Sequence, residues 1–398
     1  MDESAGDVEF DDEQDTPLEV ASVDRFSQAV LYSTDWTVET IVSQLTRGNI
    51  DLNPRFQRRD AWSPRNKSRF IESAILGLPI PQIVLAEKPG ERGKFVVLDG
   101  KQRLLTLLQY TGNSTGPRNE FGLSGLEART DLARKKYSHL NAQPNLVSDL
   151  NAFLNHTIRT VVIRNWPDTD FLHLVFRRLN TGSVKLSSHE LRQAVVAGPF
   201  LDYVDDETQD MPSLWALLGK QEPDARMRDV ELLVRALAFQ LYLPEYGGRM
   251  KDFLDLVCGR MNDDWDASLP RAQALVSNFR DGLTVLVQIF GESGIARKPG
   301  SNSFNRAIFD ALIFYCFSAP VRQAMAARPQ AVRDAYHGIW ERDQFAEAVE
   351  SDTAGIPNTA SRMGLWGAQL AHALGIHIPV PTENRDGDRS RLEYRGVE

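Results

Sequence analysis

The sequence is poor in the residues that build covalent and metal frameworks. Two cysteines occur in 398 residues, Cys258 and Cys316, each inside an apolar run of helical character. Two distant thiols give neither a disulfide framework nor a zinc pattern, and a reducing cytoplasm is the compartment they fit. The seven histidines (His139, His156, His173, His189, His337, His372, His377) are scattered, with no H-E-x-x-H or other paired metal spacing. G-x-S-x-G, G-x-x-x-x-G-K-[ST] and G-x-G-x-x-G are all missing. That argues against a serine hydrolase, an ordinary P-loop NTPase and a Rossmann dehydrogenase. The longest apolar run, AIFDALIFYCF, contains Asp310 and falls well short of the ~18 residues a membrane span needs. The acidic N-terminus has no apolar segment of the signal-peptide kind, so neither export nor a membrane partner is expected.

Basic residues are lacking at one end. The first twenty residues hold nine acids and no Lys or Arg, out of 54 acids and 45 bases in the whole chain. The net charge of −9 therefore belongs to this head, and the remaining body is neutral. The head reads as a disordered tail, with the alternative of a mimic that occupies the protein's own basic groove. A neutral body counts against tight non-specific DNA binding, which goes with a basic excess, but leaves room for local patches.

What is present is a globular composition, 42% hydrophobic and 25% charged, in a chain long enough for two domains. Residues 35–50 read as a short helix capped by Asp35 or Thr37, with Gly48 near its end. Ser63-Pro64 starts a helix that runs to about Leu76, buries Phe70, Ile71, Ala74 and Ile75, and closes at Gly77. QIVLAEK and KFVVLDG read as strands joined by the turn PGERG, and KQRLLTLLQY as a helix stopped at Gly112. Residues 112–150 look looser and polar. TIRTVVIRNW is a strand; DTDFLHLVFRRL and LSSHELRQAVVAG are helices, the second with Ser187 and Glu190 as a capping box. Beyond about Asp202 only helical patterns follow, and the polar residues after Pro379 read as frayed. The expected organisation is an acidic tail over 1–20, an α+β domain over 21–200, a helical domain over 201–378 and a polar tail over 379–398.

One junction carries chemistry. Asp99 ends a strand, Gly100 turns, and Lys101, Gln102 and Arg103 occupy the first turn of a helix. Exposed N–H groups and the helix dipole favour an anion there, and cations in that turn are locally unfavourable unless something neutralises them. Gly100 would let a ligand approach the backbone, and Asp99 would hold Arg103, a metal or a water. The alternative is a purely structural cap. Two further segments bear on the choice. Gln57, Arg58 and Arg59 precede Trp62 in a basic loop that suits a nucleotide or nucleic acid, or is a solvated loop with Trp62 as a core anchor. Asn180, Thr181, Gly182 and Ser183 follow Arg177 and Arg178 in a polar turn that would donate N–H groups to an anion, or is a plain connection.

The segments LNPRFQRRDAWSPRNKSRFIESAILGLPIPQIVL, FVVLDGKQRLLTLLQY and FRRLNTGSVKLSSHELRQA, in this order from about Thr37 to Ala197, resemble the N-terminal domain of the GmrSD-type modification-dependent restriction proteins. The helical half, through RMRDVELLVRALAF and YGGRMKDFLDLV, is similar to free-standing members. The resemblance implies a ParB/sulfiredoxin-like α+β fold and an Asp-Gly-Gln-Gln-Arg signature linked to nucleotide binding and hydrolysis coupled to DNA restriction. Asp99, Gly100, Gln102 and Arg103 match that signature, and Lys101 stands where Gln is usual. Asn180 and Gly182 fall in the second polar motif, and Gln57, Arg58 and Trp62 in the first. The implied partners are DNA and a nucleoside triphosphate, with Mg2+, and either a homodimer or a partner protein. The implied roles are catalytic for Asp99, Gln102 and Arg103, and nucleotide or phosphate binding for Gly100, Lys101, Gln57, Arg58, Arg59, Asn180 and Gly182. No HNH nuclease is expected, because HALGIHIPVP lacks the partner residues of such a site, which leaves a free-standing nucleotide-dependent sensor or a ParB-like nuclease acting through the N-terminal domain itself. The alternative is a non-enzymatic module that binds DNA or a partner protein.

Overall fold

Buried apolar strands flanked by amphipathic helices organise the N-terminal half. The structure is a computed structural model and describes residues 29–52, 62–114, 120–168, 171–172, 175, 188–386 and 389–394. The chain divides into two units, the first ending at Val195 and the second beginning at Val196.

In chain order the first unit contains β1 (Val30–Thr37), α1 (Val38–Thr46), β2 (Ile50–Asp51), α2 (Pro64–Ile75), β3 (Ile83–Glu87), β4 (Phe95–Asp99), α3 (Lys101–Tyr110), α4 (Tyr137–Ala142), α5 (Val147–Asn155), β5 (Thr157–Arg164) and α6 (Ser188–Val195). The strands form one mixed sheet in the order β1-β5-β3-β4-β2. β3 and β4 are the antiparallel hairpin expected from the sequence, with an irregularity between Val84 and Leu85. β3 runs parallel to β5, and β4 runs parallel to the two-residue β2.

The first four residues of β3 and of β4 are all buried, because the sheet is covered on both faces. Alternation along the strands divides them between two cores. Ile83, Leu85, Phe95 and Val97 face the larger core, which takes in Val38, Ile41, Ile71, Ala74, Leu104, Leu107 and Phe153 from the helices. Val84, Ala86, Val96 and Leu98 face the smaller one with Ile163, Phe171 and Leu172.

α2 follows the sequence reading. The Ser63 side chain accepts a hydrogen bond from the Asn66 N–H at 3.3 Å, and Phe70, Ile71, Ala74 and Ile75 are buried. The buried stripe also holds Lys67, Ser68 and Glu72. Trp62 packs edge-on against Phe70, with ring centroids 5.8 Å apart, which makes it a core anchor.

Two departures concern this unit. β1 was not expected, and the helix read over 35–50 is only Val38–Thr46, with Thr37 as its N-cap. β1 is an edge strand whose first residues, Val30, Leu31 and Tyr32, are exposed, so no alternation marks it. The stretch read as loose contains α4 and α5. It is tied to α2 through Glu72, whose carboxylate accepts hydrogen bonds from the N–H groups of Glu127, Ala128 and Arg129.

The second unit is built from α7 (Pro199–Thr208), α8 (Pro212–Leu217), α9 (Arg228–Tyr242), α10 (Met250–Asp263), α11 (Trp265–Phe290), α12 (Arg306–Tyr315), α13 (Ala319–Ala327), α14 (Pro329–Ile339), α15 (Asp343–Glu350), α16 (Ile356–Leu374), β6 (Pro381–Asp386) and β7 (Arg389–Tyr394). α9 and α12 are buried almost all round, as their composition implies, and are cross-linked by a fully buried ion pair between Arg235 and Asp310. The segment expected to be frayed is instead an antiparallel hairpin, β6–β7, packed on α16. Leu392 is its buried anchor, and the Tyr394 ring stacks on Phe314 at 6.2 Å. Two well-placed apolar side chains and a full ladder hold a hairpin that its polar composition conceals. No helix among the described residues is long and apolar enough to cross a membrane.

Candidate functional site at the corner between β4 and α3

The corner forms where β4 ends at Asp99 and α3 begins at Lys101. Gly100 has φ +96°, in the left-handed region that only glycine enters without strain. A Cβ on Gly100 would lie 3.0 Å from Ile83 Cγ1 and 3.3 Å from both Nε and Nη2 of Arg103. Glycine is therefore required by the protein's own packing. It lets the Arg103 side chain fold back under the turn. The expected reason, close approach of a ligand to the backbone, is not needed to explain it.

Asp99 organises this arrangement. Its Oδ1 accepts the Gly100 N–H at 2.7 Å, and its Oδ2 accepts Arg103 Nη2 at 2.9 Å. The same Nη2 donates to the Gln82 carbonyl at 3.0 Å. Arg103 is 6% exposed, and its Nε is buried without a hydrogen-bond partner. A guanidinium fixed at one end with a buried donor at the other is oriented but incompletely satisfied.

Lys101 is 5% exposed and donates to Glu190 Oε1 of α6 at 2.5 Å. Glu190, read from sequence as part of a capping box, thus reaches a residue 89 positions away. Both members of this pair are buried, so removing either partner leaves the other charge poorly solvated. Gln102 places its Oε1 in a buried position without a partner, while its carbonyl accepts the Thr106 hydroxyl. The two cations of the first helical turn are paired with Asp99 and Glu190.

The structure therefore brings together Asp99, Gly100, Lys101, Gln102 and Arg103, and adds Glu190 and its neighbours on α6. Gln57, Arg58 and Arg59, and Asn180 and Gly182, lie outside the described residues, as do Arg177, Arg178, Thr181, Ser183 and the acidic head.

Several polar anchors escaped the sequence reading. Lys67 Nζ donates to Gln109 Oε1 of α3 at 2.8 Å, which ties α2 to the helix of the corner. Burial pushes the Glu72 carboxyl pKa up, but the backbone N–H groups of Arg129, Glu127 and Ala128 outweigh burial and hold it below the ordinary value. The available signal is their position. Lys67, Ser68 and Glu72 fall on the same helical stripe as Ile71, Ala74 and Ile75, and a charge on an apolar stripe needs a partner. No group of three or more His, Cys, Asp or Glu is placed to hold a metal ion among the described residues.

The corner and α6 fall within one recognised domain. Residues 38–197, which is 160 of the chain's 398 residues, match the family model described as the GmrSD restriction endonuclease N-terminal domain. The match begins at the first residue of α1 and ends two residues beyond α6. No curated protein and no solved structure matches the chain. Residues 38–197 are thus similar to the N-terminal domain of the GmrSD restriction endonucleases.

Proposed function

We propose that this chain is a DNA-engaging protein of the restriction or anti-phage defence type. In this reading its N-terminal unit binds and hydrolyses a nucleoside triphosphate at the corner formed by Asp99, Gly100, Lys101, Gln102 and Arg103. The family match supports the DNA-engaging, restriction-type part of this reading. One observation carries the nucleotide part. Arg103 is held rigidly by Asp99 and Gln82 while its Nε stays buried without a partner, beside a helix N-terminus. A group poised in this way suits a phosphate oxygen, and phosphoryl transfer depends largely on positioning and charge neutralisation.

In the proposed mechanism the phosphate oxygens take the first-turn N–H groups of α3 and Arg103 Nε. Lys101 turns from Glu190 to the phosphates, exchanging one anion for another. Asp99 keeps Arg103 oriented and is the candidate carboxylate for a Mg2+ that arrives with the phosphates. Such an ion commonly keeps several waters and takes one or two carboxylates, of which Asp99 would supply one. Gln57, Arg58, Arg59, Asn180 and Gly182 complete the proposed set.

A second reading, a DNA- or partner-binding module without turnover, is favoured by a specific observation. Asp99 and Glu190 already compensate both cations. The two readings separate on nucleotide hydrolysis by the purified full chain beside Asp99→Asn and Arg103→Lys, with thermal unfolding to check each fold. The enzymatic reading expects turnover in the parent and at least a tenfold loss in both variants. Equal rates in all three would reject the site, and no turnover together with salt-dependent retention on duplex DNA would favour the second reading.

A further inference from the structure

The corner has an unexplained neighbour on α6. Gln193 is 1% exposed, and both its Oε1 and its Nε2 are buried without a hydrogen-bond partner. With Gln102 Oε1 and Arg103 Nε, four such atoms sit on two helices that the Lys101–Glu190 pair joins. Buried polar atoms without partners are scarce in folded proteins, and each costs about 1–3 kcal/mol. Four of them fall on two adjoining helices.

Helical spacing relates Gln193 to the corner. It lies three residues after Glu190, hence one turn along the same stripe of α6. Glu190 on that stripe meets Lys101 at the start of α3, and α6 packs against β4, the strand that ends in Asp99. His189 and Arg192, also buried and within hydrogen-bond distance of each other at 3.3 Å, flank the stripe.

The chemistry of the vacant atoms narrows the ligand. A phosphate offers only acceptors and would leave an amide oxygen unsatisfied. An amide whose donor and acceptor are both open suits a group with both functions, such as a ribose hydroxyl or a nucleobase edge. We infer that α6 is the second wall of the nucleotide site, with Gln193 binding the nucleoside part of the triphosphate and Glu190 serving as the counter-ion of Lys101 until phosphate replaces it. This inference rests on the proposed nucleotide site and adds to it a wall, a binding residue and a division of labour: α3 takes the phosphates and α6 takes the nucleoside.

The test is a calorimetric titration of the full chain with each of the four ribonucleoside triphosphates and with inorganic tripolyphosphate, in Mg2+. The proteins are the parent, Gln193→Met and Arg103→Lys. Gln193→Met keeps the length of the side chain and removes the unsatisfied amide, so its melting temperature should hold or rise. It should weaken the preferred nucleotide at least tenfold and leave tripolyphosphate unchanged, whereas Arg103→Lys should weaken both. If Gln193→Met is unfolded, Gln193→Ala serves the same comparison. Unchanged nucleotide affinity in the Gln193 variant, or an equal loss for nucleotide and tripolyphosphate, overturns this inference while leaving the phosphate site standing. A parent that binds tripolyphosphate as tightly as every nucleotide also overturns it alone. A parent that binds none of these ligands overturns both readings.

Discussion

Breaking the Lys101–Glu190 pair should be among the most damaging changes available in the N-terminal unit, and breaking both halves at once should be mild. The two side chains are 5% and 4% exposed, with 2.5 Å between Lys101 Nζ and Glu190 Oε1. Neither charge has much water to fall back on. Glu190→Met leaves a buried ammonium without this carboxylate, and Lys101→Met leaves a buried carboxylate without this ammonium; each should cost about 3–5 kcal/mol. A unit of this size shifts its midpoint by about 2–4 °C per kcal/mol, so each single variant should melt about 6–20 °C lower. The double variant Lys101→Met/Glu190→Met replaces a buried ion pair by apolar side chains of similar length and should recover most of that loss. The assay is denaturant and thermal unfolding of all four proteins, read as a double-mutant cycle. A coupling energy of ~2 kcal/mol or more is expected. Two single variants that each lose under ~1 kcal/mol and add in the double would refute the view that α6 is locked to the corner by this pair.

Other outcomes follow from the same geometry. Glu72→Gln should destabilise by about 2 kcal/mol at neutral pH, since the carboxylate satisfies three backbone donors. Because the folded pKa of Glu72 lies below its ordinary value of 4.5, its contribution is present above that pH and fades as pH falls through the folded value, so the variant's stability should decline less steeply in acid. Gly100→Ala should cost about 1–3 kcal/mol, because the residue has φ +96° and the methyl would press on Ile83 and Arg103; an unchanged midpoint would show that the turn relaxes freely. Burial pushes the Cys316 thiol up to about 12, against a smaller opposite pull from Arg322, and Cys258 is buried too. A thiol reagent at pH 8 should therefore label neither cysteine in the native protein and both after denaturation; rapid native labelling of Cys316 would contradict that packing.

Local signals explain what was legible in the sequence. Ser63-Pro64 and Gly77 bracket α2 because caps act within a turn, and β3 and β4 stand out because both faces of the central strands are apolar. The order of polar motifs between Thr37 and Ala197 carried the domain assignment that residues 38–197 bear out. What stayed hidden depends on distant partners. Glu190 looks like a capping residue until Lys101 is placed beside it. The packing need for Gly100 comes from Ile83, seventeen positions earlier, and from Arg103, which a Cβ would meet. β1 lacks a buried face along Val30–Tyr32, and β6–β7 rests on little more than Leu392 and Tyr394, so neither leaves a periodic pattern. Gln193 is ordinary in sequence, and only burial of both its amide atoms distinguishes it.

The proposed nucleotide site puts a triphosphate where β4 hands over to α3. The most direct measurement is an experimental structure of the full chain with a non-hydrolysable nucleoside triphosphate and Mg2+. A phosphate oxygen is expected within hydrogen-bond distance of Arg103 Nε and the first-turn N–H groups of α3, with Lys101 moved from Glu190 toward the phosphates. A nucleotide bound elsewhere, with the Lys101–Glu190 pair intact and the corner empty, would contradict it.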